Sequence, residues 1–340
     1  MNTNKTYKRV LVTGGAGCIG VQVCKELLNR GIAVHLFDLP EQISRAKEYL
    51  PEGIEIYYGS ILDNSSLRDA MVDCDSVIHL AAYLGVRRTE TNRLRCIEIN
   101  IDGTKNVLQC AIQNRIKKII FASSSEVYGE PIENPVTENS ITQGKTVYAI
   151  SKLSGEELCK AFAQRYPDLK YTILRYFNTY GPFQTAQFVI PKFLRNVIEG
   201  RPPVVYGNGK QQRSYCFAGD TAVATVDSLI KTQADNEIFN IGNSDNPISL
   251  GNLAKKVIKI CGKEGEIIPT YQSEFKNTDR EEDREIHKRF CDTSKAKRIL
   301  KFVPQMDLDF GINKVIKAGI LYPKWETTVL DFTLDDWLYF

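Results

Sequence analysis

Tyr148 and Lys152 stand four residues apart in the run Tyr148-Ala149-Ile150-Ser151-Lys152. On a helix, side chains at i and i+4 share a face, so the phenol and the ammonium become neighbours. A cation beside a phenol favours the phenolate, which can take a proton from an alcohol. A second cluster reads Phe121-Ala122-Ser123-Ser124-Ser125-Glu126-Val127-Tyr128-Gly129. It ends a strand-like run in hydroxyls, where a serine can hydrogen-bond the substrate hydroxyl that loses its proton. Serines also favour strand ends for turn chemistry alone.

A third pattern could hold a cofactor. Val10-Leu11-Val12-Thr13-Gly14-Gly15-Ala16-Gly17-Cys18-Ile19-Gly20 reads as strand, glycine-rich turn and helix start. Gly15, Gly17 and Gly20 satisfy GxGxxG, and Gly14, Gly17 and Gly20 satisfy GxxGxxG. Glycines let the backbone approach a pyrophosphate, and amides at the helix N-terminus face its charge. Asp38 follows at the end of a second strand, near the position expected of a ribose-binding acid. Its carboxylate favours NAD over NADP, with Arg45 the nearest later base; Asp38 can also cap the turn that follows. A tyrosine base near neutral pH must fall from a pKa near 10, a shift worth roughly 4 kcal/mol. One ammonium about 6 Å away at an effective dielectric near 20 supplies about 3 kcal/mol. The positive nicotinamide ring of the oxidised cofactor could supply the rest.

The elements that must position these groups alternate along the chain. Apolar runs at Val10–Thr13, Ile32–Phe37, Ile54–Tyr58, Ser76–Leu80, Ile119–Ala122 and Tyr171–Tyr176 read as strands. Helical spacing occupies residues 18–30, with Gly31 as its stop, and residues 94–114 and 148–165. Alternating strands and helices predict an α/β fold with a Rossmann-type, doubly wound parallel sheet. After residue 176 Pro and Gly cluster, a strand returns at Glu237–Ile241, and helices follow near 249–261 and 293–300. The expected partition is a cofactor domain, residues 1–175 plus about 218–246. A smaller interleaved α/β substrate domain takes residues 176–217 plus about 247–320. The charged stretch 274–289 reads as a solvated loop or helix face. The aromatic tail 321–340 is expected to dock on the body or on another subunit.

Composition narrows the classes. A 340-residue chain with 43% hydrophobic and 25% charged residues is of ordinary globular type. A net charge of +3 gives no reason to expect a nucleic-acid partner. Nine scattered cysteines with no CxxC pair fit buried thiols in a reducing compartment, rather than a disulfide framework or zinc site. With three histidines, no metal site is expected. No apolar run approaches a membrane span, and the start MNTNKTYKRV lacks a signal-peptide core. A cytoplasmic enzyme without a membrane partner is expected.

The chain resembles the extended short-chain dehydrogenase/reductases that act on nucleotide sugars, the epimerase/dehydratase group. The resemblance rests on GGAGCIG, HLAA at His79–Ala82, Asn100 with Gly103-Thr104, SSSEVYG and YAISK. It continues in Arg175–Pro182, Val189-Ile190-Pro191, YGNGKQQRS at 206–214, FNIGN at 239–243 and Asp292 with Ser294-Lys295-Ala296. It spans residues 8–318 and implies NAD as cofactor and a nucleotide sugar as substrate. Tyr148 is then the base, Lys152 holds the ribose and tunes Tyr148, and Ser124 shares the O4 proton, with Ser125 and Glu126 beside it. Gly14, Gly17, Cys18, Ile19, Gly20, Asp38, Ser60, Ile61, Leu80, Ala81, Ala82, Asn100 and Phe177 join Tyr148 and Lys152 in contacting the cofactor. Asn178, Val189, Arg213 and Arg289 hold the sugar nucleotide, with Asn178 and the arginines at its diphosphate. Arg213 taken alone reads as a solvated loop charge. The resemblance also implies a homodimer through helices at 94–114 and 148–165.

The chain departs from the family pattern in places. Gly59-Ser60 replaces the usual Gly-Asp, Asp63 reads as a helix cap, and Ala218-Gly219-Asp220 replaces Val-Asp-Asp. Within the family, the run YAISKLSGEEL resembles epimerases, and a 4-epimerase working through a 4-keto sugar is expected. Glu126 matches the glutamate that decarboxylases of the UDP-glucuronate type and 4,6-dehydratases use beside the sugar, which keeps both as alternatives; it can also be a structural acid. Dehydratases often carry Asp-Glu where this chain has Ser125-Glu126. The segment Thr142–Val147 lacks the arginine-containing pattern of decarboxylases. A non-catalytic, cofactor-sensing member and a reductase with a dissociating cofactor are the remaining alternatives.

Overall fold

A computed structural model describes residues 6–185, 187–245, 247–272 and 286–318. Seven parallel strands form the main sheet: β1 (Arg9–Thr13), β2 (Ala33–Asp38), β3 (Glu55–Tyr58), β4 (Ser76–His79), β5 (Lys118–Ser124), β6 (Lys170–Tyr176) and, later in the chain, β11 (Glu237–Ile241). Their spatial order is β11-β6-β5-β4-β1-β2-β3. The order reverses between β1 and β4, which pair directly. That switch point opens a crevice at the C-terminal strand ends, where such sheets bind ligands.

Alternation along the strands divides two cores. Val10, Val12, Ile78, Ile120, Leu174 and Ile241 join one face, packed against α1 (Cys18–Asn29) and α9 (Ala218–Ile230). Leu11, Val77, Ile119, Phe121 and Ile173 join the other, packed against α3 (Asn64–Ala70), α6 (Gly103–Gln113) and α7 (Val147–Arg165). Helices on both faces explain why these strands read as continuous apolar runs. The expected strand at 54–58 is the exception: β3 is the edge strand, and Tyr58 is 57% exposed.

The expected helix over 94–114 is present but not uniform. It runs as α5 (Arg93–Ile97), a π turn at Glu98–Asp102, and α6. The turn carries the buried Asn100, and the Thr104 hydroxyl bonds the Asn100 carbonyl at 2.6 Å. Before it come α2 (Pro40–Ala46) and α4 (Val86–Thr91).

A separate apolar core forms from residues 180–315, including Phe193, Leu194, Val205, Leu253 and Ile312. It gathers α8 (Val189–Ile198), α10 (Leu250–Ile260), α12 (Leu308–Lys317) and short strands. β7 (Thr179–Tyr180) pairs with β10 (Cys216–Phe217), and β8 (Val204–Tyr206) with β13 (Thr270–Gln272). β9 (Gln212–Arg213) lies between β12 (Ile248–Ser249) and β14 (Lys288–Arg289). The short helix α11 (Ser294–Ile299) packs near β11. Most of the charged stretch 274–289, and the tail 321–340, lie outside the described residues. Among the described residues no helix is long and apolar enough to cross a membrane.

Candidate active site

The glycine loop leaves β1 and enters α1. Gly14 has φ +70°, and a Cβ there would stand 2.6 Å from the Ala81 amide nitrogen. A Cβ on Gly20 would strike the Gly14 carbonyl, so both glycines are needed for the loop to close on itself. Gly17 is different. A Cβ there would meet only the Gly14 oxygen, at 3.3 Å, and otherwise open space. Gly17 is also the α1 N-cap and offers no capping side chain, and the first turn holds no acid. The amides of Cys18 and Ile19 therefore begin a helix whose positive end is free to face an anion. This open face fits a dinucleotide pyrophosphate.

Asp38 ends β2 beside that loop. Its carboxylate accepts the Ala16 amide at 3.0 Å and the Leu39 amide at 2.8 Å. It therefore both ties down the glycine loop and caps the following turn. Burial pushes its carboxyl up to about 6, against the pull of those two amides. Ser60 accepts the Leu62 amide, and Ile61 is buried against Gly103. Asp63 is the α3 cap, held by Ser65 and Ser66 and pulled down to about 2 by their hydroxyls. Leu80, Ala81 and Ala82 leave β4, with the Leu80 amide on the Thr13 carbonyl and the Ala81 amide on the Thr13 hydroxyl.

Two residues assigned to the cofactor by resemblance are engaged within the protein. The Asn100 amide accepts from Tyr83 N at 2.7 Å and donates to Tyr83 O and Ser151 Oγ. The Phe177 ring is fully enclosed with Val127, Tyr128, Val136 and Cys291, so it presents no ring face to the crevice.

Ser124 ends β5, and its hydroxyl accepts the Glu126 amide at 3.2 Å, turning the chain into the helical turn Ser125–Tyr128. Ser125 itself is buried. Thr146 caps α7 by accepting the Ala149 amide at 3.1 Å, and its hydroxyl donates to the Glu126 carboxylate at 3.3 Å. Tyr148 lies in that first turn, with its phenol beside Ser124. Four residues on, the buried Lys152 nitrogen stands 5.7 Å from the Tyr148 ring centre and 5.1 Å from that of Phe121. The structure thus brings Ser124, Glu126, Tyr148 and Lys152 together at the sheet edge.

The electrostatics differ from the simple lysine arithmetic. Burial pushes the Tyr148 phenol well above its ordinary value, and the nearby Glu126 carboxylate adds to this; only the Ser124 hydroxyl pulls it down. Burial also pushes Lys152 down to about 8. The expectation weighed the ammonium and left out the desolvation of both groups, which favours their neutral forms.

Two short strands beside the separate core of residues 180–315 carry cations toward the turn that follows Ser124. β9 and β14 run parallel with Arg213 directly opposite Arg289, two guanidinium groups far apart in sequence. Arg213 donates to the Gln212 carbonyl at 2.8 Å, so it is strand-bound rather than a loop charge. Arg289 is buried and reaches the carbonyl of Gly129, the last residue of the Ser124 motif. Asn178, at φ +34°, donates to the Ser214 carbonyl. Val189 opens α8 and lines a small groove with Gln187, Lys192, Val204, Tyr206 and Leu250. Among the described residues no group of His, Cys, Asp and Glu is placed to hold a metal.

Sequence reasoning missed Thr146 and Glu156. Thr146 precedes the helical YxxxK run, and a threonine there is a recognisable N-cap. Glu156 continues the Tyr148, Lys152 face at i+8 and takes a bidentate, buried contact from Arg175, at 2.9 and 2.7 Å.

Residues 10–242 match the NAD dependent epimerase/dehydratase family. A UDP-N-acetyl-alpha-D-glucosaminuronate decarboxylase of Bacillus cytotoxicus is 35% identical over 91% of this chain and 97% of its own. A UDP-glucose 4-epimerase of Thermotoga maritima, solved with UDP-glucose, has a TM-score of 0.82 at 31% identity, covering 92% of this chain and 98% of that one. A UDP-glucuronic acid 4-epimerase of Bacillus cereus, solved with UDP-glucuronic acid and NAD, has a TM-score of 0.81 at 28% identity, covering 92% and 100%. With a doubly wound sheet, an open glycine loop and a Ser–Tyr–Lys cluster at its edge, the chain belongs to the NAD-dependent epimerase/dehydratase family of extended short-chain dehydrogenase/reductases.

Proposed function

We propose that this enzyme oxidises a nucleotide-linked uronic acid at C4 and releases its C6 carboxylate as carbon dioxide. The observation that carries this reading is Glu126, whose carboxylate bonds Thr146 and acts on the Tyr148 phenol. The glycine loop and Asp38 hold the cofactor, with Lys152 on its ribose, and Arg213 and Arg289 hold the diphosphate. Residues 1–175 with 218–246 then form the cofactor half, and 176–217 with 247–320 the substrate half.

NAD, when bound, supplies the acceptor and later the donor of the C4 hydride, together with a positive ring. Tyr148 takes the O4 proton, and Ser124 shares it. The protein alone keeps Tyr148 protonated, so the base is strongest when the oxidised cofactor adds its charge. The resulting C4 ketone lies β to the carboxylate, and its oxygen accepts the electrons as carbon dioxide leaves. C5 then takes one proton from water, and the Glu126 carboxylate, beside Tyr148, is the group that relays it and ends the step as it began. Tyr148 returns the O4 proton at the end. A 4,6-dehydratase must also protonate a departing hydroxyl, and the position next to Glu126 is the buried, neutral Ser125. The Bacillus cytotoxicus relative supports the uronate reading.

The second reading is the 4-epimerase expected from the sequence. The run YAISKLSGEEL and the similarity to the Thermotoga maritima 4-epimerase support it. An epimerase returns hydride to the other face of C4 and exchanges nothing at C5. The test is product analysis by mass and NMR in deuterated water, with NAD and UDP-sugars that include uronates. Loss of carbon dioxide with deuterium at C5 is expected. A product of unchanged mass with inverted C4 overturns the decarboxylase in favour of the epimerase.

We also propose a homodimer. Leu94 and Ile97 on α5, and Ile150 on α7, are 68%, 40% and 49% exposed on neighbouring helices, an apolar face that a second copy would cover.

A further inference from the structure

His79, at the end of β4, touches none of the reacting groups but is almost fully buried between two hydroxyls. Thr104 donates its only proton to the Asn100 carbonyl at 2.6 Å. Its oxygen must therefore accept from His79 Nε2, 3.0 Å away. With the proton on Nε2, His79 Nδ1 accepts from the Thr13 hydroxyl at 2.7 Å. Thr13 Oγ1 in turn accepts the Ala81 amide at 3.4 Å. One neutral tautomer satisfies the whole chain. Burial pushes the ring down to about 3, with Lys152 adding to this, so it stays neutral.

The line continues beyond the π turn. Asn100 Nδ2 donates to Ser151 Oγ at 2.9 Å, and Ser151 donates to the Tyr148 carbonyl at 2.7 Å. Asn100 also grips both backbone groups of Tyr83, just past the Leu80–Ala82 loop. Hydrogen bonds, joined through the covalent frame of Asn100, thus run from the edge of the crevice to the backbone of Tyr148. They cross β1, β4, the π turn and α7.

We propose that neutral His79 is a positioning residue: it locks the π turn to the end of β1 and, through Asn100 and Ser151, sets where Tyr148 stands relative to the cofactor crevice. The inference rests on Tyr148 being the base. A leucine fills the same space but leaves Thr13 without an acceptor and Thr104 without a donor. A glutamine keeps the donor toward Thr104. Thr104→Val removes the next link without touching the crevice.

The experiment compares wild type, H79L, H79Q, T104V and the H79L/T104V double variant. Amide hydrogen exchange over residues 98–104 and 147–152 is measured with and without NAD, alongside kcat and KM. We expect H79L and T104V each to speed exchange in both segments about tenfold. We expect kcat to fall by up to about 10²-fold, the scale set by small misplacements, with KM for the nucleotide sugar little changed. The double variant should be no worse than either single one, because the links act in series, and H79Q should recover most of kcat. Wild-type exchange and kcat in both single variants, or losses that multiply in the double one, overturn the proposal. Should H79L fail to fold, T104V and H79Q decide the matter by the same readings. If wild type turns over no nucleotide sugar, the reading of Tyr148 fails, and the exchange pattern still tests the relay by itself.

Discussion

Burial pushes Tyr148 up and Lys152 down, so both residues are held away from the charged forms that the proposed mechanism uses. Tyr148→Phe removes the proton acceptor and leaves the glycine loop and Asp38 intact. Turnover should fall by about 10²–10⁴-fold, with NAD affinity nearly unchanged by calorimetry. Lys152 makes a prediction about stability. The unfolded chain carries this ammonium up to its ordinary 10.5, whereas the folded site gives it up near 8. Between those values the unfolded state binds more protons, so the stability of the cofactor-free protein rises with pH across that window. Below pH 8 the cost of the buried ammonium is full, on the order of 3 kcal/mol. Lys152→Met should therefore raise the melting temperature of the cofactor-free protein at pH 7 while abolishing turnover. The gain should shrink toward pH 10, as thermal unfolding at the two pH values would show. Equal gains at both would sink this account of Lys152.

At the scale of elements, α7 does most to assemble the site. Thr146 caps it, Tyr148 and Lys152 share one face, and Glu156 extends that face into a buried pair with Arg175. The helix must sit close to β5 for this to work. Gly155 provides the approach, because a Cβ there would run into the Phe121 ring, over which Lys152 also lies. Gly155→Ala should cost about 1–3 kcal/mol as α7 is pushed outward. It should also lower kcat by displacing Tyr148 and Lys152. Urea unfolding and steady-state kinetics measure the two effects, and a neutral change in both would mean that α7 has slack. Nothing in the sequence marks this close approach, because it depends on the Phe121 ring that the fold places opposite Gly155.

For the whole molecule, the contact between Arg289 and Gly129 ties the cationic strands beside the 180–315 core to the turn that follows Ser124. The exposed apolar face of α5 and α7 makes a prediction at this scale. A double variant, Leu94→Asp with Ile150→Glu, should sediment as a monomer while wild type sediments as a dimer. A monomeric wild type, or a variant that still dimerises, would refute the proposed interface. NAD in large excess should stabilise either form, by about 2.7 kcal/mol at a hundred times its dissociation constant.

The sequence by itself determined the alternating order of strands and helices, the glycine loop, Asp38 at the end of β2 and the shared face of Tyr148 and Lys152. These are local matters, set by periodicities of two and about 3.6 residues and by glycine's missing side chain. Its motifs also marked Ser124, Glu126, Arg213 and Arg289, although spacing could not say how they meet. Only the tertiary structure decided that Arg213 and Arg289 lie opposite each other, since strand register joins residues with no local relation. It alone placed Glu126 on Thr146, enclosed Phe177 and turned the Asn100 amide inward. It also reversed the direction expected for Tyr148, because desolvation depends on everything that excludes water from a group, and no spacing along the chain measures that.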